Sequence, residues 1–245
     1  VLLFVIKKRY QVLNRKREEL KTQKVINYFS ASIYKQQTVD EILWDLTKNC
    51  ISQLNFEDCV VYLFDEERKV LVQKAAHGPK NTRNFEINKP IDIPIGKGIV
   101  GSVAEKLNPE IIEDTSKDSR YIADDEIRYS EITVPIVSEG QLLGVIDCEH
   151  SKKRFFTQNH LYILKTLASF CAIKITQAKT DSEKRRAEMM LAETKHKMAE
   201  MEMQALRAQM NPHFIFNCLN SINRYIVKSD QATASLYLTR FAKLI

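Results

Sequence analysis

The chain has 245 residues, 37 Lys and Arg against 31 Asp and Glu, and 44% apolar side chains, a balance that suits one or two globular units and excludes a disordered polymer. Six Gly and six Pro exclude a collagen-like chain, and no apolar run reaches the ~20 residues needed to cross a bilayer, so this is not a complete membrane protein. The five cysteines, at 50, 59, 148, 171 and 218, are an odd set without CxxC spacing; they read as thiols in a reducing cytosol, and no structural zinc or other metal site is expected.

Residues 1–24 hold eight basic side chains against Glu18 and Glu19, a local balance of +6 that equals the whole net charge. The other 221 residues are therefore neutral overall, and no nucleic-acid partner is expected. Val1-Leu2-Leu3-Phe4-Val5-Ile6 followed at once by Lys7-Lys8-Arg9 reads as the cytoplasmic end of a membrane helix with its basic juxtamembrane segment. The absence of an initiating Met, and an end at Ile245 inside an apolar periodic pattern, read as a piece of a longer protein: the cytoplasmic region of an inner-membrane protein, attached through its N-terminal helix.

From residue 25 to 55 the apolar positions Val25, Ile26, Phe29, Ile33, then Val39, Ile42, Leu43, Leu46 recur at three and four, predicting two helices with a Thr38/Glu41 capping box between them. Cys59 to Phe64, a turn at Asp65-Glu66-Glu67-Arg68, and Val70-Leu71-Val72 predict a hairpin. A second hairpin is predicted from Ile132 to Val137, through Ser138-Glu139-Gly140, and back from Leu142 to Cys148. A helix over about 157–176, with Leu161, Leu164, Leu167, Ala168 and Cys171 on one stripe, closes the unit. This order predicts an α+β domain with a central antiparallel sheet flanked by helices.

Beyond Gln177 glycine is absent and Glu, Lys, Met and Ala dominate, which predicts long helix. With Leu191 as position a, the a and d places run Leu191, Thr194, Met198, Met201, Ala205, Ala208, Pro212, Ile215, Leu219, Ile222 and Ile226, a seam that calls for a partner helix and predicts a homodimeric coiled coil. A further helix beginning near Gln231 is expected to fray towards Ile245.

Several motifs invite chemistry. Gly96-Lys-Gly98-Ile-Val-Gly101 matches GxGxxG, with Asp114 near a ribose-binding spacing. The helix after it is stopped by Asn108-Pro109, so a tight turn into a short helix is the better reading than a dinucleotide site. Cys148 and His150 would share one strand face, but without a second ligand cluster they predict neither metal nor haem binding. His77, His160 and His196 read as surface or packing residues. His213 differs: it takes position b, off the seam, next to a helix-loosening Pro212, with Asn217 one turn on, able to orient its ring.

The stretch Gln209-Met-Asn-Pro-His213-Phe-Ile-Phe-Asn217-Cys-Leu-Asn-Ser-Ile222 resembles the phosphoacceptor box of the LytS-like sensor histidine kinases. Ile93 to Gly101, Glu113 to Tyr121, Ser130 to Ile136 and Leu143 to Asp147 are similar to a GAF domain, over residues 25–178. The resemblance divides the chain into a membrane-helix end and basic segment (1–24), a GAF domain (25–178), a coiled-coil signalling helix (179–208) and a partial dimerisation and phosphoacceptor hairpin (209–245).

The resemblance implies a two-component sensor histidine kinase. In that family a dimeric helical hairpin presents a histidine, an ATP-binding domain supplies the γ-phosphoryl from ATP and Mg²⁺, and an aspartate of a response regulator receives it. Carried over, His213 is the phosphoacceptor and Asn217 the orienting or dephosphorylation-supporting side chain. Phe214 stands where many such kinases carry an acidic residue. No ATP-binding box occurs in the 32 residues after His213, so this chain alone is expected to be inactive, with ATP and Mg²⁺ bound through the ATP-binding domain and no cofactor assigned to these residues. For the GAF domain the resemblance implies either a small-molecule ligand, which no residue fixes, or a structural relay. Two other functions fit the sequence: a non-enzymatic GAF scaffold, and a thiol redox enzyme working through Cys50, Cys59 and Cys148.

Overall fold

A computed structural model describes residues 2–35, 38–82, 85–209 and 212–243. The chain forms two compact units, one up to Ser182 and one from Glu183.

The first unit opens with helix α1 (Leu2–Ser32). The sequence predicted a membrane-helix end over the first six residues, a basic segment to residue 24 and a separate helix from residue 25; instead one helix runs from Leu2 through the basic segment to Ser32. Residues 1–32 contain no Gly or Pro, and Lys and Arg are strong helix formers. Among the described residues no helix is long and apolar enough to cross a membrane. Helix α2 (Val39–Asp45) starts at the predicted capping box: the Glu41 amide donates to the Thr38 hydroxyl at 3.2 Å, and the Thr38 amide donates to the Glu41 carboxylate at 3.0 Å. A π turn over Leu46–Cys50 and a 3₁₀ turn over Ile51–Leu54 carry the chain to the sheet.

The strands are β1 (Asp58–Asp65), β2 (Val70–His77), β3 (Asp92–Pro94), β4 (Glu110–Ile112), β5 (Ser130–Ser138) and β6 (Gln141–His150), with α3 (Gly98–Lys106) between β3 and β4. They form one antiparallel sheet in the order β3-β2-β1-β6-β5-β4. Both predicted hairpins are present, and the short edge strands β3 and β4 were not predicted.

Strand period two sorts the side chains. On one face Cys59, Val61, Ile132, Val134, Ile146 and Cys148 pack against Val25 and Phe29 of α1, Ile42 and Leu43 of α2, and Leu164, Leu167, Cys171 and Ile175 of α4 (Gln158–Gln209). On the other, Val60, Tyr62, Leu71 and Val145 pack under α3 and β3 through Ile93, Val100 and Ala104. The GxGxxG glycines serve this second layer. Gly96 and Gly98 have φ of +79° and +70°, and a Cβ on Gly101 would stand 2.5 Å from the Pro94 carbonyl oxygen. Helix α3 has nine residues and ends on a left-handed Leu107 ahead of Asn108-Pro109, so the glycines build a tight turn and not a dinucleotide cradle.

In the second unit, α4 is described to Gln209 and α5 spans Pro212–Val227. Met210 and Asn211 lie outside the described residues, and with them the loosening expected beside Pro212. Pro212 takes the first position of α5, where a missing N–H removes no helical bond. Ser229, at φ +58°, turns the chain, and Asp230 caps α6 (Gln231–Ala242) by accepting from the Thr233 amide at 3.1 Å. Leu244 and Ile245, where fraying was expected, lie outside the described residues. Helices α5 and α6 pair through buried Ile222 and Ala234 and a stacked Tyr225–Tyr237 pair.

Candidate functional site

Two places gather polar chemistry, one in each unit. In the first, alternation that points cysteines and aliphatics to the helix layer points Asp58 of β1, Glu131 of β5, and Asp147 and Glu149 of β6 to the opposite face. The register sets them side by side: Asp58 faces Glu149, Glu149 faces Glu131, and Asp147 faces Thr133. With Asp124 these carboxylates line a cavity of about 30 Å³, roofed by Ile93, Val100 and Ile122. That is room for about two water molecules.

The segment 118–129 crosses this cavity. Asp124 accepts from the buried Lys80 ammonium at 2.7 Å and from Gln73 Nε2 at 2.6 Å, while Gln73 Oε1 accepts from the Ile91 amide at 3.1 Å. Arg120 reaches Glu110, Asp118 and the Ser102 hydroxyl together, fixing the start of the segment to α3 and β4. Ile122 closes over Gly98, where a Cβ would stand 2.8 Å from its terminal methyl.

Burial, then the neighbouring Asp125 charge, pushes the Asp58 carboxyl up to about 7. Glu131, Asp147 and Glu149 are likewise pushed up, in each case by burial first. The Thr133 hydroxyl stands 2.6 Å from Asp147 and 3.1 Å from Glu131, and one hydroxyl proton serves only one of them. Oδ1 of Asp58 and Nε of Arg128 are buried without a hydrogen-bond partner. None of these acids was predicted from the sequence as a site residue. The available signal was the acid-apolar alternation in Ser130-Glu-Ile-Thr-Val and Ile146-Asp-Cys-Glu, but their convergence with residue 58 depends on strand order.

Other singled-out residues resolve into packing. Cys59 and Cys148 are cross-strand partners, fully buried on the helix face, and burial pushes both thiols up. The side chain of Cys50 lies outside the described residues. His150 is buried and stacks on Phe155, with its Nε2 3.4 Å from Glu57; burial pushes it down. His77 is half-buried and also pushed down by burial, His160 packs among Phe56, Phe155 and Phe156, and His196 is exposed 3.5 Å from Glu200. Asp114 pairs with Lys153 at 2.9 Å.

In the second unit, His213 lies in the first turn of α5 with an exposed side chain, and its Nδ1 stands 3.2 Å from Asn217 Nδ2, one turn along. The Ser221 hydroxyl donates to the Asn217 carbonyl at 2.8 Å. Phe214, Cys218, Ile222, Tyr237 and Phe241 line a groove between α5 and α6 beside this pair. The seam residues Leu191, Met198 and Met201 are exposed in the single chain.

Comparison with known proteins gives two family matches: residues 36–176 match the GAF domain family, and residues 201–245 match the histidine kinase family. The free methionine-R-sulfoxide reductase of Saccharomyces cerevisiae is 28% identical over 144 residues, covering 56% of this chain and 74% of the yeast protein. The sensor histidine kinase BtsS of Escherichia coli is 30% identical over 115 residues, covering 46% of this chain and 18% of BtsS. Among solved structures, the GAF domain of an Acinetobacter phosphoenolpyruvate-protein phosphotransferase superposes with a TM-score of 0.59 at 19% identity, over 64% of this chain and 94% of that one.

Proposed function

The chain belongs to the GAF domain family, through residues 36–176, and carries a histidine kinase region over 201–245; from this premise we propose that it is the sensing and phosphoacceptor portion of a two-component sensor histidine kinase. His213 accepts the γ-phosphoryl of ATP from an ATP-binding domain and passes it to an aspartate of a response regulator. Support for this role comes from one contact: an exposed imidazole with the Asn217 amide on its Nδ1 at 3.2 Å. A carboxamide offers a donor at one end and an acceptor at the other. With Oδ1 turned to the ring it accepts Nδ1–H and leaves the lone pair on Nε2. That nitrogen then attacks in line, forming the N–P bond as the β,γ-bridging P–O bond breaks and ADP leaves.

In this reading the exposed seam from Leu191 to Met201 pairs with a second chain, and a change at the GAF domain reaches His213 as a shift in helix packing. The apolar start and basic residues of segment 1–24 support a place beside a membrane. The test is labelling. Incubated with ATP and Mg²⁺, the 245-residue chain takes up no phosphate, and gains it at His213 when a histidine kinase ATP-binding domain is supplied in trans. Undiminished labelling of His213→Ala overturns the assignment.

A second reading, thiol reduction of methionine sulfoxide, is favoured by the likeness to the yeast reductase. Against it, Cys59 and Cys148 are buried on the sheet face away from the cavity, in surroundings that disfavour the thiolate.

A further inference from the structure

We propose that a carboxylate cluster at the edge of the cavity in the first unit binds a hard divalent metal cation, held by Asp58 and Glu149, which line the cavity, and by Asp125, which is exposed beside it. One carboxylate oxygen from each of these residues lies within 4.8 Å of the other two. Two oxygens on opposite sides of a Ca²⁺ ion stand about 4.8 Å apart, so a single ion can touch all three. The donors come from three separate elements: β1, the segment 118–129 and β6.

A second observation is independent of this clustering. Oδ1 of Asp58, a residue 3% exposed that lines the cavity, is buried without a hydrogen-bond partner. A buried carboxylate oxygen without a donor calls for a cation or a proton. The ladder adds a third: like charges directly opposite one another on neighbouring strands repel, and here Asp58, Glu149 and Glu131 stand in one row. Protein cations do not answer the whole row. Lys80 pairs with Asp124, and the buried Arg128, whose charge also attracts Asp58 and Glu149, makes its short contact, 2.8 Å, with Glu126 while standing 3.8 Å from Asp125.

Donor type chooses the ligand. The cavity of about 30 Å³ beside Asp58 and Glu149 has room for the one or two waters that complete an ion's shell. All-oxygen donors select Ca²⁺, Mg²⁺ or Mn²⁺ over softer metals, since both cysteines of the neighbouring strands face the other layer. Bound there, the ion ties Asp125 of the crossing segment to the two strands beneath it. This proposal does not rest on the role given to His213.

The test is calorimetric titration of the chelator-stripped 245-residue chain with CaCl₂, MgCl₂ and MnCl₂ separately, beside thermal unfolding in each. The expected result is one saturable equivalent for at least one cation and a rise in its melting midpoint. Affinity should fall roughly tenfold or more in both Asp125→Asn and Glu149→Gln, and be unchanged in Glu139→Gln at the distant β5–β6 turn. Asp125→Asn lies outside the strands, which keeps the test sound if Glu149→Gln does not fold. No saturable binding of any of the three up to about 10 mM, as when a water bridges Asp58 and Arg128 instead, overturns the proposal. Equal binding by Asp125→Asn and the parent chain overturns it too.

Discussion

Arg120 grips Glu110 at two points, Nη1 3.2 Å from one carboxylate oxygen and Nη2 2.7 Å from the other, and the same guanidinium reaches Asp118 and the Ser102 hydroxyl. One planar fork thus joins α3, β4 and the segment that crosses the cavity. Arg120→Ala should lower stability by about 1–2 kcal/mol, and Arg120→Lys should recover little, because an ammonium cannot reproduce the fork. Urea unfolding measures both.

Acid sensitivity follows from the same residues. Hydrogen bonds from Arg120 hold Glu110 and Asp118 below the usual carboxylate range. Groups depressed on folding add stability that is present above their unfolded values, about 4, and lost as pH falls through their folded values. The parent chain should therefore lose stability steadily below about pH 4, and Arg120→Ala should show a shallower loss over the same window. A parallel acid limb in the two proteins would contradict this.

Gly144 of β6 lies against β1 so closely that a Cβ would overlap the Tyr62 carbonyl oxygen. Neither strand can shift without breaking the central ladder. Gly144→Ala should cost roughly 3 kcal/mol or more, or prevent folding, while Gly140→Ala, with open space around its Cβ position and strain only from a φ of +79°, should cost about 1 kcal/mol. Soluble yield and melting midpoint separate the two.

Burial of Cys59 and Cys148 makes them unreactive in the folded chain. An aromatic disulfide reagent should label them only at the rate of unfolding, and any thiol-dependent reduction of free methionine sulfoxide should be unaffected by replacing either. Turnover lost in Cys59→Ser or Cys148→Ser would restore the redox reading.

Asn217→Ala should slow phosphorylation of His213 in trans by roughly tenfold without changing helix content, as expected for a side chain that positions the ring. Far-ultraviolet dichroism and labelling rate together test this; an unchanged rate removes Asn217 from the mechanism.

Inserting two residues at Lys197 rotates the rest of α4 by about 200°, whereas seven residues return it to within about 20° of its original phase. If signals pass as helix phase, regulation should change with two and survive with seven. Equal behaviour would count against that route.

Local rules were legible in the sequence where they act locally. The Thr38/Glu41 box, both hairpins with their turns, and the brief helix after Gly98 depend on neighbours within a few residues, and each appears where the pattern put it. The continuity of α1 through the basic segment was missed because a basic run reads equally well as a solvated tail or as the outer surface of a helix. The edge strands β3 and β4 have only three residues each, too few for a periodic signal. The acidic face stayed hidden for another reason: residues 58, 125, 131, 147 and 149 meet only once strand order is known. By contrast, the contact between His213 and Asn217 spans a single helical turn, so spacing alone pointed to it.

The alternation along β6 has one more consequence. Cys148 sits between Asp147 and Glu149, so pairing β6 with β1 one residue out of step would drive two carboxylates among Phe29, Leu164 and Leu167 and turn the thiol towards the acids. A hydrophobic strand of this length would otherwise tolerate sliding. The acids penalise every slip by an odd number of residues, and so help the nascent sheet to find its native pairing.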